Sequence, residues 1–150
     1  MWDKLRKQIT VELEQLDHLF EVHRPLLHKC LESSASEIEL SALAAFLHSF
    51  YTGVENIFKR VAIEIDGVPP RGESWHRDLL DAMTQPTAQR PRCISPDLHD
   101  RLMDYLQFRH FFRHAYVFQL QFAKIRPIVT GCEDTYQEFR REIETFLGSA

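Results

Sequence analysis

The chain has 150 residues, of which 44% are hydrophobic and 27% charged, and its formal net charge at pH 7 is −4. These values are ordinary for one soluble globular domain, so we predict a single domain over residues 1–150. The net negative charge argues against a protein that coats nucleic acid over a broad surface. No apolar run approaches the roughly 20 residues that a membrane span requires, so the sequence predicts no membrane contact.

The cysteines and the N-terminus indicate the cellular compartment. Cys30, Cys93 and Cys132 are odd in number and far apart, which fits neither a disulfide framework nor paired zinc ligands. The first residues carry charges at helical spacing and lack the apolar core of a signal peptide. The sequence therefore predicts a cytoplasmic protein.

Hydrophobic residues recur at three- and four-residue steps along most of the chain, which is the pattern of amphipathic helices. The first stripe runs from Leu5 to Leu31 and predicts a long helix that Pro25 should kink. Ser36 and Glu39 have the spacing of a capping box and predict the start of a second helix. Gly67 would end that helix, because glycine accepts the left-handed conformation of a C-cap.

The second half of the chain predicts shorter elements. Ser74 would cap a short third helix, and residues 84–93 form an irregular segment of a length that is usually mobile or functional. Residues 95–97, Ser-Pro-Asp, are a strong helix start, and a fourth helical region would run from there toward Pro127. After a break at residues 131–134 a last helix follows. The sequence thus predicts an all-α antiparallel bundle of four to five helices.

Positive charge is concentrated in the predicted fourth helical region. Five basic residues lie between Arg101 and Arg126, against one acidic residue, Asp104. A local basic patch on an acidic protein suits contact with a few phosphates.

Residues 109–116 read Arg-His-Phe-Phe-Arg-His-Ala-Tyr and combine groups that suit phosphate chemistry. Arg109 brings a guanidinium, a type of group that keeps its proton at all working pH values. His110 and His114 bring imidazoles, a type of group that ordinarily titrates near neutrality. Such groups can cleave a phosphodiester without a metal. On an ideal helix, Arg109 and His114 are separated by about 140° around the axis. Either a bend near Phe108 or a second copy of the chain is therefore needed to bring both onto one phosphate.

The spacing Arg-x-x-x-x-His-x-Tyr, from Arg109 through His114 to Tyr116, resembles the motif of the HEPN superfamily and most closely that of its HepT-like ribonuclease toxins. Residues 51–67 and 70–80 are also similar to HepT-like proteins, and the resemblance covers roughly residues 40–147. It implies a HEPN-type bundle that forms a homodimer with its active cleft at the subunit interface. Aromatic residues on several sides of the motif segment also favour a partner; they are Phe108, Phe111, Phe112 and Phe118.

The resemblance further implies metal-independent cleavage of RNA, in which a 2′-hydroxyl attacks the neighbouring phosphorus and leaves a 2′,3′-cyclic phosphate. His114 would act as general base or acid, and Arg109 would bind the phosphate and stabilise its developing charge. His110 would help to position the phosphate, while Arg113 and Arg101 would add phosphate contacts. No cofactor is implied. A zinc site is not predicted either, because no third ligand accompanies the two histidines.

Tyr116 has a further role in the family that the motif resembles. In HepT-like toxins of toxin–antitoxin pairs related to types II and VII, a minimal nucleotidyltransferase antitoxin attaches AMP to this tyrosine. The resemblance therefore implies such a partner. The alternative is a non-catalytic HEPN module that binds and regulates a nucleotidyltransferase. The intact pair of Arg109 and His114 favours the enzyme, since a pure binding module needs neither.

The segment Trp75-His76-Arg77-Asp78 leaves two interpretations open. Its polar side chains could contribute to a functional site. Trp75 together with Leu79 is explained more simply as the apolar anchor of a short helix.

Overall fold

The computed structural model describes residues 2–116 and 119–150, and over these ranges the fold is all-α, as predicted. Four long helices and two short ones follow each other along the chain. They are α1 (Trp2–Glu32), α2 (Glu37–Val61), α3 (Trp75–Ala82), α4 (Pro96–Arg113), α5 (Phe122–Thr130) and α6 (Cys132–Leu147). Among the described residues, none of the helices is long and apolar enough to cross a membrane.

The first two helices form a long antiparallel pair. Lys4 Nζ lies 3.1 Å from a carboxylate oxygen of Glu64 at one end of the pair, and Lys29 Nζ lies 2.6 Å from Glu39 at the other. The helix α1 continues through Pro25 to Glu32. This pair is the scaffold against which the other helices pack.

The ends of α2 follow the predicted capping chemistry. The hydroxyl of Ser36 accepts from the backbone N–H of Glu39 at 3.2 Å, and the Glu39 carboxylate accepts from the backbone N–H of Ser36 at 2.9 Å. After Val61 the chain widens into a π-helical turn, Ala62–Asp66, which Gly67 ends with a φ of 69°. The predicted capping box and glycine C-cap are both confirmed.

The predicted fourth helical region is in fact two helices. The helix α4 ends at Arg113, with His114 as its C-cap at φ −115° and ψ 8°, and α5 begins at Phe122. Neither glycine nor proline lies between these helices, and buried apolar residues continue on both sides, so the pattern contains no stop signal. Pro127, expected near the end of the region, lies inside α5. Of the predicted break at residues 131–134, only Gly131 separates α5 from α6.

The irregular segment between α3 and α4 is fixed by one buried arginine. The side chain of Arg90 is 1% exposed and donates to both carboxylate oxygens of Asp66, at 2.8 and 2.9 Å. It also donates to the backbone carbonyls of Gln85 and Pro91. These contacts give the segment a structural role in tying the end of α2 to the start of α4.

The core lies between α1, α2, α4 and α6 and contains aromatic rings in stacked and edge-to-face contact. Phe20 of α1 lies 4.6 Å from Tyr136 of α6, and Phe50 of α2 lies 5.1 Å from Tyr105 of α4, measured between ring centroids. Such contacts contribute about 0.5–1.5 kcal/mol each beyond the burial of their area. The first contact packs α6 against α1, and the second packs α4 against α2.

The close approach of α1 and α2 at Gly53 generates a prediction about stability. A Cβ atom at Gly53 would lie 2.6 Å from Cδ2 and 2.9 Å from Cγ of Leu16, which is 3% exposed. Alanine gains about 1 kcal/mol of helix propensity over glycine, but overpacking a core costs about 1–3 kcal/mol. We therefore expect Gly53→Ala to lower the free energy of unfolding by about 1 kcal/mol in urea denaturation.

The control for this prediction is the same change in a Leu16→Ala background. There the clashing atoms are gone, so Gly53→Ala should be neutral or stabilising. An equal cost of Gly53→Ala in both backgrounds would show that contact with Leu16 is not the reason for the glycine.

Candidate active site

The arginine of the motif points into the bundle. Arg109 is 5% exposed, and its Nη2 donates to both carboxylate oxygens of Glu55 on α2, at 2.9 and 3.0 Å. Its Nη1 donates to the hydroxyl of Thr52 at 3.3 Å. The guanidinium carbon also lies 5.0 Å from the ring centroid of Tyr51. The motif arginine thus forms a buried, hydrogen-bonded ion pair between α4 and α2.

A histidine from α3 completes this cluster. His76 Nδ1 lies 2.7 Å from Oε2 of Glu55 and 2.9 Å from Nη2 of Arg109. A carboxylate accepts hydrogen bonds, and Nη2 already donates to both oxygens of Glu55. The shorter contact therefore assigns a proton to Nδ1, and the 2.9 Å contact with Nη2 joins two donors that share the carboxylate. The His76 side chain is 24% exposed, whereas that of Glu55 is 4% exposed. The ring therefore bridges a buried carboxylate and the protein surface.

The exposed part of this cluster opens into a surface pocket of about 450 Å³ between α3 and α4. This volume lies in the range of small-molecule sites and suits one nucleotide. The charged and titratable side chains that line it are Glu73, His76, Arg77, Arg109, His110 and Arg113. With one carboxylate among these six groups, the pocket suits an anion.

The titration of His48, on α2 near the same end of α4, indicates the local electrostatic potential. Burial lowers the pKa of His48 below its ordinary value, and the positive charges of Arg109 and Arg113 lower it further. The two arginines therefore make the potential at His48 more positive. A positive potential favours the binding of phosphate.

The structure brings Arg109, His110 and Arg113 to one pocket but places His114 beyond it. His114 is the exposed C-cap of α4, and its ring centroid lies 5.0 Å from that of His110. Arg109 is buried while His114 is exposed, in line with the angular separation expected from their spacing. Tyr116 lies further along the chain and is 70% exposed.

The other basic and aromatic residues of the motif region divide between core and surface. Arg101, for which the sequence predicts a phosphate contact, donates to Asp134 of α6 at 2.7 Å and to Thr135 at 3.0 Å. Phe108 is buried, Phe111 is 49% exposed and Phe112 is partly buried. Phe118 lies outside the described residues. Of the three described rings, Phe111 offers the most apolar area for a partner.

Sequence analysis did not identify Glu55 and Thr52, because both belong to a helix far from the motif in the chain. Glu55 occupies the apolar face of α2, between the buried Val54 and Phe58. A lone carboxylate on an otherwise apolar helix face is a signal that a buried partner must exist. That signal could have identified Glu55, although not Arg109 as its partner.

The buried ion pair yields a second prediction. Glu55→Gln leaves the guanidinium of Arg109 without its counter-charge, so we expect the free energy of unfolding to fall by about 3–5 kcal/mol. The matched control replaces both groups, Glu55→Leu with Arg109→Met, and should cost less than Glu55→Gln alone, because no unpaired charge remains. Denaturant unfolding measures both. A double variant at least as unstable as Glu55→Gln would contradict this assignment.

Comparison with known proteins identifies the chain at the level of a family. A model of HepT-like proteins matches residues 42–150, which includes most of α2 and everything after it. Neither the curated proteins nor the solved structures compared with the chain gave a significant match. The match confirms the resemblance, which the sequence indicated over roughly residues 40–147, and covers well over half of the chain. The chain therefore belongs to the HepT-like family of HEPN proteins.

Proposed function

We propose that this protein is a metal-independent endoribonuclease, the toxin of a toxin–antitoxin pair. The observation that carries the proposal is the pocket between α3 and α4, in which Arg109, His110 and Arg113 meet basic side chains of α3 around a space of nucleotide size. Guanidinium groups bind phosphate in fixed geometry and stabilise charge on its oxygens as the transition state forms. Imidazole groups transfer protons near neutral pH.

In the proposed reaction the 2′-hydroxyl of the substrate attacks the adjacent phosphorus while the 5′-oxygen departs. His114 takes the proton of the 2′-hydroxyl as general base, and Arg109 and Arg113 balance the negative charge on the phosphate. Arg109 is held by Glu55, so its orientation is fixed before substrate arrives and little ordering remains to be done. The products are a 2′,3′-cyclic phosphate and a 5′-hydroxyl.

A homodimer is part of the proposal because His114 does not line the pocket of its own chain. A second copy that docks across a twofold axis would bring its His114 to this pocket and complete both sites. The half-exposed ring of Phe111, on the same helix, gives such an interface an apolar contact. Arg109 of one subunit and His114 of the other would then converge on one phosphate, as the motif spacing requires.

The proposed reaction predicts a strict dependence on the 2′-hydroxyl and on His114. Purified protein should cut an RNA oligonucleotide, and a single 2′-deoxy substitution at the cut site should abolish cleavage there, because the nucleophile is lost. His114→Ala should slow cleavage about 10²- to 10⁴-fold, as measured by gel electrophoresis of end-labelled RNA.

Arg141→Ala is the matched control for this experiment, since Arg141 is an exposed arginine of α6 that pairs with Glu138 and does not line the pocket. It should leave the rate within about twofold. Cleavage that persists on the deoxy-substituted strand would refute the mechanism.

We also propose that a minimal nucleotidyltransferase antitoxin transfers AMP from ATP to the hydroxyl of Tyr116, with release of pyrophosphate. Tyr116 is 70% exposed and follows Arg113 by three residues, so an enzyme can reach it. The added phosphate would place negative charge beside the basic pocket and compete with RNA for it.

This regulation predicts a modified protein when the two partners are made together. Mass spectrometry of the co-expressed protein should find the mass of one AMP on the peptide that contains Tyr116, and modified protein should no longer cut RNA. Tyr116→Phe should remain unmodified and active. Unmodified Tyr116 in the presence of an active antitoxin would exclude this route.

A second candidate function is a non-catalytic module that binds a nucleotidyltransferase. The observation that favours it is the burial of Arg109, whose Nη2 is already occupied by Glu55. Expression alone distinguishes the two functions. Growth arrest and cut RNA with the unaltered protein, but not with His114→Ala, support the ribonuclease; harmless expression with intact RNA supports the binding module.

A further inference from the structure

We infer that His76 is a further catalytic residue of the pocket, the general acid that protonates the departing 5′-oxygen of the RNA. This inference rests on the proposed ribonuclease function and assigns a residue outside the Arg-x-x-x-x-His-x-Tyr motif. The proposed reaction requires such a proton donor. Cleavage by a 2′-hydroxyl requires one group to remove a proton and another to supply one, and His114 alone provides only the first.

The position of Glu55 determines which atom of His76 meets the substrate. Nδ1 is directed at the buried carboxylate of Glu55 at 2.7 Å, so the other ring nitrogen, Nε2, belongs to the part of the ring that faces the pocket. A carboxylate behind a histidine fixes its tautomer and stabilises the imidazolium, as in the triads of hydrolases. With Nδ1 engaged, Nε2 is the ring nitrogen left for a ligand, and it is a donor when the ring is the imidazolium.

Contacts on its other sides hold the ring of His76 in this orientation. The neighbouring Trp75 lies against it with ring centroids 3.6 Å apart, and Lys59 Nζ lies 4.9 Å from the Trp75 ring. Glu55 is held in turn by two contacts from Arg109. A proton donor fixed in this way needs little reorganisation when the transition state forms.

The charged groups around His76 come from three sides. On the α2 side the ring faces Glu55. The pocket is lined from α4 by Arg109, His110 and Arg113. At the start of α3 it is lined by Glu73 and Arg77. The arginines attract the substrate phosphate to the mouth of the pocket, which places its oxygens beside the exposed side of the imidazole. The carboxylate of Glu55 lies on the opposite side of the ring. His76 therefore lies between the Glu55 carboxylate, which orients its ring, and the substrate phosphate, whose 5′-oxygen it protonates.

The proposed step balances without any further reactant. The bond between the 2′-oxygen and phosphorus forms as the bond between phosphorus and the 5′-oxygen breaks. The 2′-hydroxyl proton passes to neutral His114, and the Nε2 proton of the His76 imidazolium passes to the 5′-oxygen, which leaves His76 neutral with its proton on Nδ1. Exchange of protons with water then restores both histidines, and nothing is oxidised or reduced.

The test compares His76→Asn with the unaltered protein on two substrates. Asparagine keeps a donor close to the position of Nδ1, and hence the contact with Glu55, but has no atom in place of Nε2. On ordinary RNA we expect the variant to be about 10²- to 10⁴-fold slower. On RNA with sulfur in place of the scissile 5′-oxygen we expect less than about a tenfold loss, because a thiolate is a stable leaving group that needs no proton.

His99→Asn is the matched control. His99 also lies between carboxylates, with Nε2 2.7 Å from Asp81 and Nδ1 2.9 Å from Asp100, but it does not line the pocket. Burial lowers the pKa of His99, and the hydrogen bonds to Asp100 and Asp81 outweigh this effect and raise it. Loss of this histidine should leave both substrates cleaved at nearly the unaltered rate.

The outcomes separate this inference from the proposed function. A large loss on ordinary RNA with little loss on the sulfur substrate supports His76 as the general acid. An equal loss on both substrates assigns His76 a structural role, and an unchanged rate on ordinary RNA removes it from the reaction; either result overturns the inference and leaves the ribonuclease standing. If the unaltered protein cuts neither substrate, the proposed function itself is wrong.

Discussion

The arrangement of the site depends on one buried ion pair, between Glu55 of α2 and Arg109 of α4. Removing two charges from water is costly, and the pair is stable only because its hydrogen bonds are satisfied. The guanidinium donates twice to the carboxylate and once to Thr52, and Tyr51 covers it with its ring. These contacts set the rotation of α4 against the long helix pair. Every other residue of the motif takes its direction from that rotation.

With Arg109 turned inward, the winding of the helix directs its neighbours outward. His110 and Arg113 reach the pocket beside α3, and His114 lies at the exposed end of the helix. One short segment thus supplies both a fixed charge inside the bundle and titratable groups at its surface. The proposed site shared between two subunits depends on this division.

Local chemistry made most of the fold predictable. The capping box of Ser36 and Glu39, the left-handed Gly67 and the helix start at Ser95 each depend on residues within one turn of each other. The length of the fourth helix was not predictable in the same way. Its apolar residues continue in phase beyond Arg113, and no glycine or proline marks the stop, so packing against the other helices decides where the backbone leaves the helix.

The sequence by itself determined the all-α class, most helix boundaries, the family motif and the separation of Arg109 from His114, because each follows from periodicity or from residues close together in the chain. Only the tertiary structure decided that Arg109 pairs with Glu55 and that His76 joins them. These three side chains come from three helices, and spacing along a chain carries no information about which faces meet. The physical reason is that a buried charge requires a partner, but any helix that reaches it can supply one.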